Sequence, residues 1–377
     1  MIEFDSLATL RSEMRQRIAD DAVLLDDLCT DVRPLRSATR RIQPRATTAI
    51  SLVGTDGGNN KVHFDPFLIQ IVRVVDSSHN EYCLEVVSPT SDITAVSRRH
   101  RTGDGTPLTA LGRMMQFLDV RTLSELSPMI PAKSPKPSWV QVYRELMEWA
   151  VLFEVVRERD FATDTVIVRD GFLRSKVFSG DLFKKYRQGI DDAIATQFSK
   201  HRRRIFLAGI AKHSKVLQRY RLAMAIEGVL RTAYPVYVEV PRDLERNVYK
   251  WAEYARGDES EVAGGELNKF VAGKMFFVKF GDRPHDPIWA IDLLDSQQED
   301  AAAVFGYLLA DALNGFPVPL YPQCLQAAHE NAELVDFDFW MLQDEITGAI
   351  RSHLRDKAHI VDEFELHDPD PSAARYD

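Results

Sequence analysis

The sequence predicts a mixed α/β chain, on three observations. Val166, Ile167 and Val168 form a continuous apolar, β-branched run that ends at Asp170-Gly171, the pattern of a strand covered on both faces, with a glycine to turn the backbone at its end. Ile50-Ser-Leu-Val-Gly-Thr-Asp56-Gly57 repeats the same grammar, and residues 61–75 continue as strand-like sequence. Segments with apolar side chains at helical spacing alternate with these strands. The longest runs from Trp139 to about Arg159 and carries Val142, Leu146, Trp149, Ala150 and Phe153 on its apolar face.

The remaining elements follow in order. Residues 6–29 alternate leucine and alanine with charges and predict an amphipathic N-terminal helix reaching toward Val32. Residues 67–75 and 82–87 predict two strands joined by a turn over 76–80. Residues 106–127 read as helix, and the proline and lysine segment 128–137 as a loop. Beyond Asp170, a helix is predicted over 184–200, a strand over 205–211, and further strands over 234–240, 274–280 and 288–293. Arg256 to Glu266 is polar and glycine-containing and reads as a mobile loop. Helices are predicted over 299–313 and 323–334, and from about Leu366 the acidic, proline-bearing tail reads as disordered. The resulting organisation is an N-terminal helical segment (1–45), a main domain (46–340) and a C-terminal helix with an acidic tail (341–377).

Composition restricts the function classes. At 377 residues and 45% hydrophobic content, the chain buries a large core. No apolar run reaches the roughly 20 residues of a membrane helix, and the N-terminus has no basic-then-apolar leader, so a cytoplasmic protein without a membrane partner is expected. The three cysteines are scattered without CxxC spacing, against a zinc ribbon or a disulfide framework. The net charge of −9 averages over unlike segments. Basic residues gather at 36–45, at 98–101, and at Arg202, Arg203 and Arg204, so that cations flank both ends of the strand 205–211, with Lys212 beyond its end; that makes a phosphate-binding edge plausible chemistry. A GxxxxGK[ST] loop is absent, which argues against ATP use, and there is no G-x-S-x-G elbow for a serine hydrolase.

Two strand-borne aspartates, Asp56 and Asp170, point to a divalent-metal site, because hard cations take oxygen ligands and strands hold those ligands rigidly. Three more features follow the same order along the chain. They are a glutamate on the helix before Asp170, a strand ending in Ala208-Gly-Ile-Ala-Lys212-His-Ser, and Tyr321 followed by His329 at a spacing of 329 − 321 = 8. In this order the motifs resemble the NurA family of DNA-end-processing nucleases, over residues 50 to 335.

The resemblance implies an RNase H-like fold, a core sheet flanked by helices, and a two-fold dimer. It implies that Asp56, Asp170 and His329 are metal ligands, that Tyr321 positions the scissile phosphate or a ligand, and that Lys212 contacts the DNA backbone. Glu148 matches the family's helical glutamate; Glu154 is the alternative and Glu145 a third. Glu148 and Glu154 are 154 − 148 = 6 residues apart, so their side chains project roughly 120° apart and only one can serve. Asp65, Asp181 and His213 have no counterpart in the pattern and read as structural. The implied cofactor is Mn²⁺ or Mg²⁺, as two ions about 4 Å apart that activate water and stabilise charge on the phosphodiester, with the histidine favouring Mn²⁺. The implied activity is 5′–3′ exonuclease or endonuclease cleavage of single- and double-stranded DNA. The implied partner is a HerA-type hexameric ATPase, in DNA end resection and repair or in defence against phage. Two rival readings stay open: a non-catalytic DNA-binding scaffold subunit of such a complex, and an RNase H-like nuclease acting on RNA or DNA junctions.

Overall fold

The computed structural model describes residues 4–45, 50–64, 67–133, 138–248 and 270–363. The loop predicted over residues 256–266, the disordered tail predicted from Leu366, and Asp65 lie outside them. In chain order the elements begin with α1 (Phe4–Asp20), α2 (Ala22–Val32), α3 (Leu35–Ala38), β1 (Arg40–Arg41), β2 (Ile50–Phe64), β3 (Phe67–Asp76) and β4 (Glu81–Val87). There follow α4 (Ile93–Arg99), α5 (Ala110–Leu118), α6 (Leu123–Leu126), α7 (Trp139–Glu158), β5 (Asp164–Asp170), α8 (Leu182–His201), β6 (Ile205–Ala211) and α9 (Lys215–Ile226). The rest are β7 (Val236–Glu239), α10 (Arg242–Val248), β8 (Gly273–Lys279), β9 (Ile288–Leu294), α11 (Ala301–Ala312), α12 (Gln323–Ala332), α13 (Asp336–Leu354) and α14 (Ile360–Glu363).

The chain divides into two compact units, the first comprising 1–56, 76–78 and 152–328, the second 57–75, 79–151 and 329–377. In the first unit the strand order is β1-β7-β8-β9-β6-β5-β2. The strands β2, β5 and β6 run parallel, while β9, β8, β7 and β1 are joined antiparallel. Successive side chains of a strand point to opposite faces, and the core follows that rule. Tyr237, Phe276, Val278, Ile291, Leu293, Phe206 and Ala208 pack with Val304, Phe305 and Leu308 of α11 and Leu325 of α12. Their sequence neighbours Val236, Val238, Met275, Phe277 and Ala290 pack with Cys29 and Val32 of α2 and Tyr220, Ala223 and Met224 of α9. Burial of each large apolar side chain contributes about 1.5–3 kcal/mol. Where β9 has ended, Gln297 takes its place beside β6, accepting from Leu207 N–H (2.9 Å) and donating to Ile205 C=O (2.6 Å).

In the second unit β3 pairs antiparallel with β4, Gln70 opposite Val87 and Val74 opposite Cys83. Its buried polar centre is a directional hydrogen-bond chain. The Thr109 hydroxyl lies 2.9 Å from His100 Nδ1, His100 Nε2 lies 3.0 Å from the Tyr143 hydroxyl, and that hydroxyl donates to Glu85. Since the hydroxyl of Tyr143 is used toward the carboxylate, Nε2 is the ring's donor and Nδ1 its acceptor. Burial lowers the pKa of His100 below its ordinary value, with Arg99 adding to that and Glu85 opposing it. Burial, reinforced by Glu85, raises that of Tyr143.

Three sequence expectations are corrected. The N-terminal helix is two helices, broken at Asp21. The helix predicted over 106–127 is also two, since Asp119 adopts a left-handed φ of 60° and ends α5. Asp56-Gly57-Gly58 does not end a strand, because β2 runs through it to Phe64; glycines are tolerated inside strands where the chain bends.

Candidate metal and phosphate site

Asp170 closes β5, and the parallel neighbour β6 brings Ile210 beside it. Lys212 follows one residue after β6, and its Nζ lies 2.8 Å from Asp170 Oδ2. The carboxylate is largely buried and the lysine partly exposed, at 16% and 39%, so the pair sits at the surface end of a buried strand. On the other side of β5, β2 runs parallel with Thr55 opposite Arg169. Asp56 is the next residue of β2 after Thr55, and Asp170 the next residue of β5 after Arg169. The side chain of Asp56 lies outside the described residues.

The turn after Asp170 is tightly built. Gly171 has φ of +107°, a conformation that side chains disfavour, and its N–H donates to Ile210 C=O at 2.7 Å. Gly209 faces this turn, and a Cβ there would lie 2.5 Å from the carbonyl oxygen of Gly171. Arg169 Nη1 donates to Phe172 C=O (3.1 Å), and Leu173 N–H donates to Asp292 Oδ2 (3.1 Å).

Arg174 then anchors the segment from inside the protein. Its guanidinium is 1% exposed and grips Asp292 in a fork, Nε to Oδ2 and Nη2 to Oδ1, both at 2.7 Å. Its remaining nitrogen, Nη1, contacts Glu245 of α10, which also accepts from Arg242 (2.8 Å). Burial alone would push the Arg174 pKa down, but Asp292 and Glu245 hold it above its ordinary value. Sequence reading missed this network. Arg174 stands four residues past Asp170, but its partners are more than seventy and one hundred residues away, and no local pattern joins them.

The other expected residues are distributed as follows. Glu148, in the second unit, is partly buried, with Arg144 Nε at 3.4 Å from it. Glu145, one turn before, accepts from Trp149 Nε1 (3.3 Å). Glu154 belongs to the first unit and is partly buried. His329 belongs to the second unit, half-exposed, 3.3 Å from Glu333. Tyr321 is 2% exposed in the core of the first unit, its ring 4.7 Å from that of Trp289. Arg202, Arg203 and Arg204 lie at the opposite end of β6 from Lys212, roughly 20 Å away at 3.3 Å per residue, and Arg204 is paired with Asp164 at 3.3 Å. Asp181 lies 3.8 Å from Lys184, and His213 is exposed. Among the described residues, no three His, Cys, Asp or Glu side chains converge in a metal-binding group.

The class this geometry defines is a mixed α/β protein with two aspartates on adjacent parallel strands and a lysine at the same edge. No protein-family model matches the chain, and no curated protein matches it. Solved structures do. The NurA nuclease from Sulfolobus solfataricus is 11% identical with a TM-score of 0.43, covering 95% of this chain and 98% of that one. A second NurA structure is 10% identical with a TM-score of 0.45, covering 93% and 100%. A NurA bound to dAMP and manganese is 9% identical with a TM-score of 0.38, covering 86% and 94%. No helix among the described residues is long and apolar enough to cross a membrane.

Proposed function

We propose that this chain is a divalent-metal-dependent DNA nuclease whose site is built on Asp56 and Asp170. The observation that supports the reading is that β2 and β5 are adjacent parallel strands, paired as far as Thr55 opposite Arg169, the residues just before Asp56 and Asp170. Such a donor set fits a hard cation, which takes carboxylate oxygens. The ammonium of Lys212 on Asp170 Oδ2 fits too, since it shows that this oxygen is oriented toward a positive charge. Asp56 and Asp170 would hold Mn²⁺ or Mg²⁺, with Glu148 (or Glu154) and His329 completing the set that the motif order assigns and Tyr321 positioning the phosphate. When bound, the ion lowers the pKa of water and offsets charge on the phosphodiester.

The chain's own groups have defined tasks in this reading. Asp170 is held by the Gly171 turn and by the Arg174 anchor, so its carboxylate meets the substrate in one orientation. Lys212, partly exposed beside it, turns to a backbone phosphate, a contact that gives affinity without base identity. Arg202, Arg203 and Arg204 bind backbone further along. The finer reading is a homodimer that digests DNA ends with a HerA-type hexameric ATPase. It rests on the motif order and on the absence of a phosphate-cradling GxxxxGK[ST] sequence, which leaves translocation to a separate motor. The test is incubation of purified protein with single-stranded and duplex DNA in Mn²⁺, Mg²⁺ or EDTA, beside Asp170→Ala. Metal-dependent cleavage lost in the variant supports the reading; equal cleavage by both proteins, or none by either, overturns it.

A further inference from the structure

The loop between α11 and α12 presents large apolar side chains to solvent. Leu313, Phe316 and Val318 are 60%, 77% and 46% exposed, and residues 313–322 contain no charged side chain. The loop is nonetheless firmly built. Phe316 N–H donates to Gln323 Oε1 (2.9 Å), and the Gln326 amide both accepts from Val318 N–H (2.8 Å) and donates to Val318 C=O (3.0 Å). The same amide nitrogen donates to Tyr321 C=O (2.9 Å), and Pro317, Pro319 and Pro322 narrow the backbone further.

Its attachment point ties it to the Asp170 edge. Trp289 Nε1 donates to Leu320 C=O (2.6 Å), and the Trp289 ring packs on Tyr321. Trp289 adjoins Ala290, which pairs with Ala211, the residue before Lys212. Two strand spacings, about 10 Å, separate β5 from β9 at this edge. The loop that carries Phe316 is therefore attached at the sheet edge where β6 ends before Lys212.

We propose that Phe316 is a stacking platform for an unpaired nucleobase of the DNA strand engaged at Asp170, and that it gives the site a preference for single-stranded ends. The inference rests on the nuclease reading above. A rigid, uncharged loop with an aromatic ring at its tip suits the flat face of a base. In a duplex those faces are covered by neighbouring bases, so only an unpaired strand offers one. Stacking of this kind tolerates any sequence, because every base has a π-face.

The experiment measures binding of a fluorescein-labelled 20-nucleotide single strand, and of the matching duplex, to the full chain in EDTA by anisotropy. Wild type, Phe316→Ala and Phe316→Trp are compared, with thermal unfolding as a fold control. Phe316→Ala is expected to lose roughly 5- to 150-fold in single-strand affinity, the loss of one base stack. Duplex affinity should stay within about two-fold, and Phe316→Trp should retain single-strand binding. Unchanged single-strand affinity in Phe316→Ala overturns the inference, as does an equal loss for duplex. A changed mass in light scattering with DNA affinity intact makes the loop a protein contact instead, which also overturns it. If wild type cuts DNA but Phe316→Ala binds normally, only this inference fails; if wild type neither binds nor cuts, the nuclease reading fails with it.

Discussion

Lys212 Nζ and Asp170 Oδ2 are 2.8 Å apart, which joins the last residue of one parallel strand to the residue just beyond its neighbour. Asp170→Ala should abolish Mn²⁺-dependent cleavage, by more than about 10³-fold, while leaving thermal unfolding close to wild type, because the carboxylate stands at a surface end and not in the core. Gel assays on a labelled duplex with excess Mn²⁺ would read this. Wild-type rates in the variant would remove Asp170 from the site.

Lys212→Ala should separate affinity from chemistry. A lysine that contacts one phosphate releases about one counterion, so the slope of log affinity against log salt should fall by about one unit, uniformly across sequences. Binding titrations over a range of salt would show it. An unchanged slope would restrict Lys212 to its ion pair with Asp170.

The helical carboxylates can be ranked. Glu148→Gln should lower cleavage far more than Glu154→Gln, about 100-fold against a few-fold, since Glu148 is assigned as the ligand. Parallel steady-state assays decide this, and the reverse order transfers the role to Glu154.

How far the sequence carried this reading depended on the range of each interaction. The strand 205–211 and the helix from Trp139 were readable because their burial is written in local periodicity, and Asp170-Gly171 marked its own turn. Asp56 was harder. Its Asp-Gly-Gly signal suggests a stop, but β2 runs through it to Phe64. The division into two units, interleaved along the chain, leaves no local trace, and so the relation of Glu148 and His329 to Asp170 had no sequence signal beyond motif order. The Arg174 network was invisible for the same reason, whereas the placing of the arginines at 202–204 and Lys212 at opposite ends of β6 was local and readable.

Arg174→Ala should be strongly destabilising. It leaves Asp292 buried without its cation, and breaking a buried pair from one side costs about 3–5 kcal/mol. Arg174→Lys should recover only part of that, because a point charge cannot reproduce the two-pronged grip on Asp292. Denaturant titration of the three proteins measures the effect, and a loss below about 1 kcal/mol would show that the network is not the anchor of the Asp170 turn.

The second unit should carry its own pH dependence through His100. Its folded pKa lies below the ordinary value of about 6.5, because burial penalises the charged ring. Between the folded value and about 6.5 the unfolded chain therefore binds more protons than the folded one, so stability rises with pH across that window. It is fully present above about 6.5 and is lost as the pH falls below it, with a limiting slope of about 1.4 kcal/mol per pH unit. Protonation would place a hydrogen on Nδ1, where the Thr109 hydroxyl now donates at 2.9 Å, and Arg99 opposes the added charge while Glu85 favours it. Denaturation midpoints between about pH 5 and 7.5 should fall on acidification in wild type, and His100→Gln should flatten that part of the slope. An equal slope in both proteins would place the acid sensitivity elsewhere.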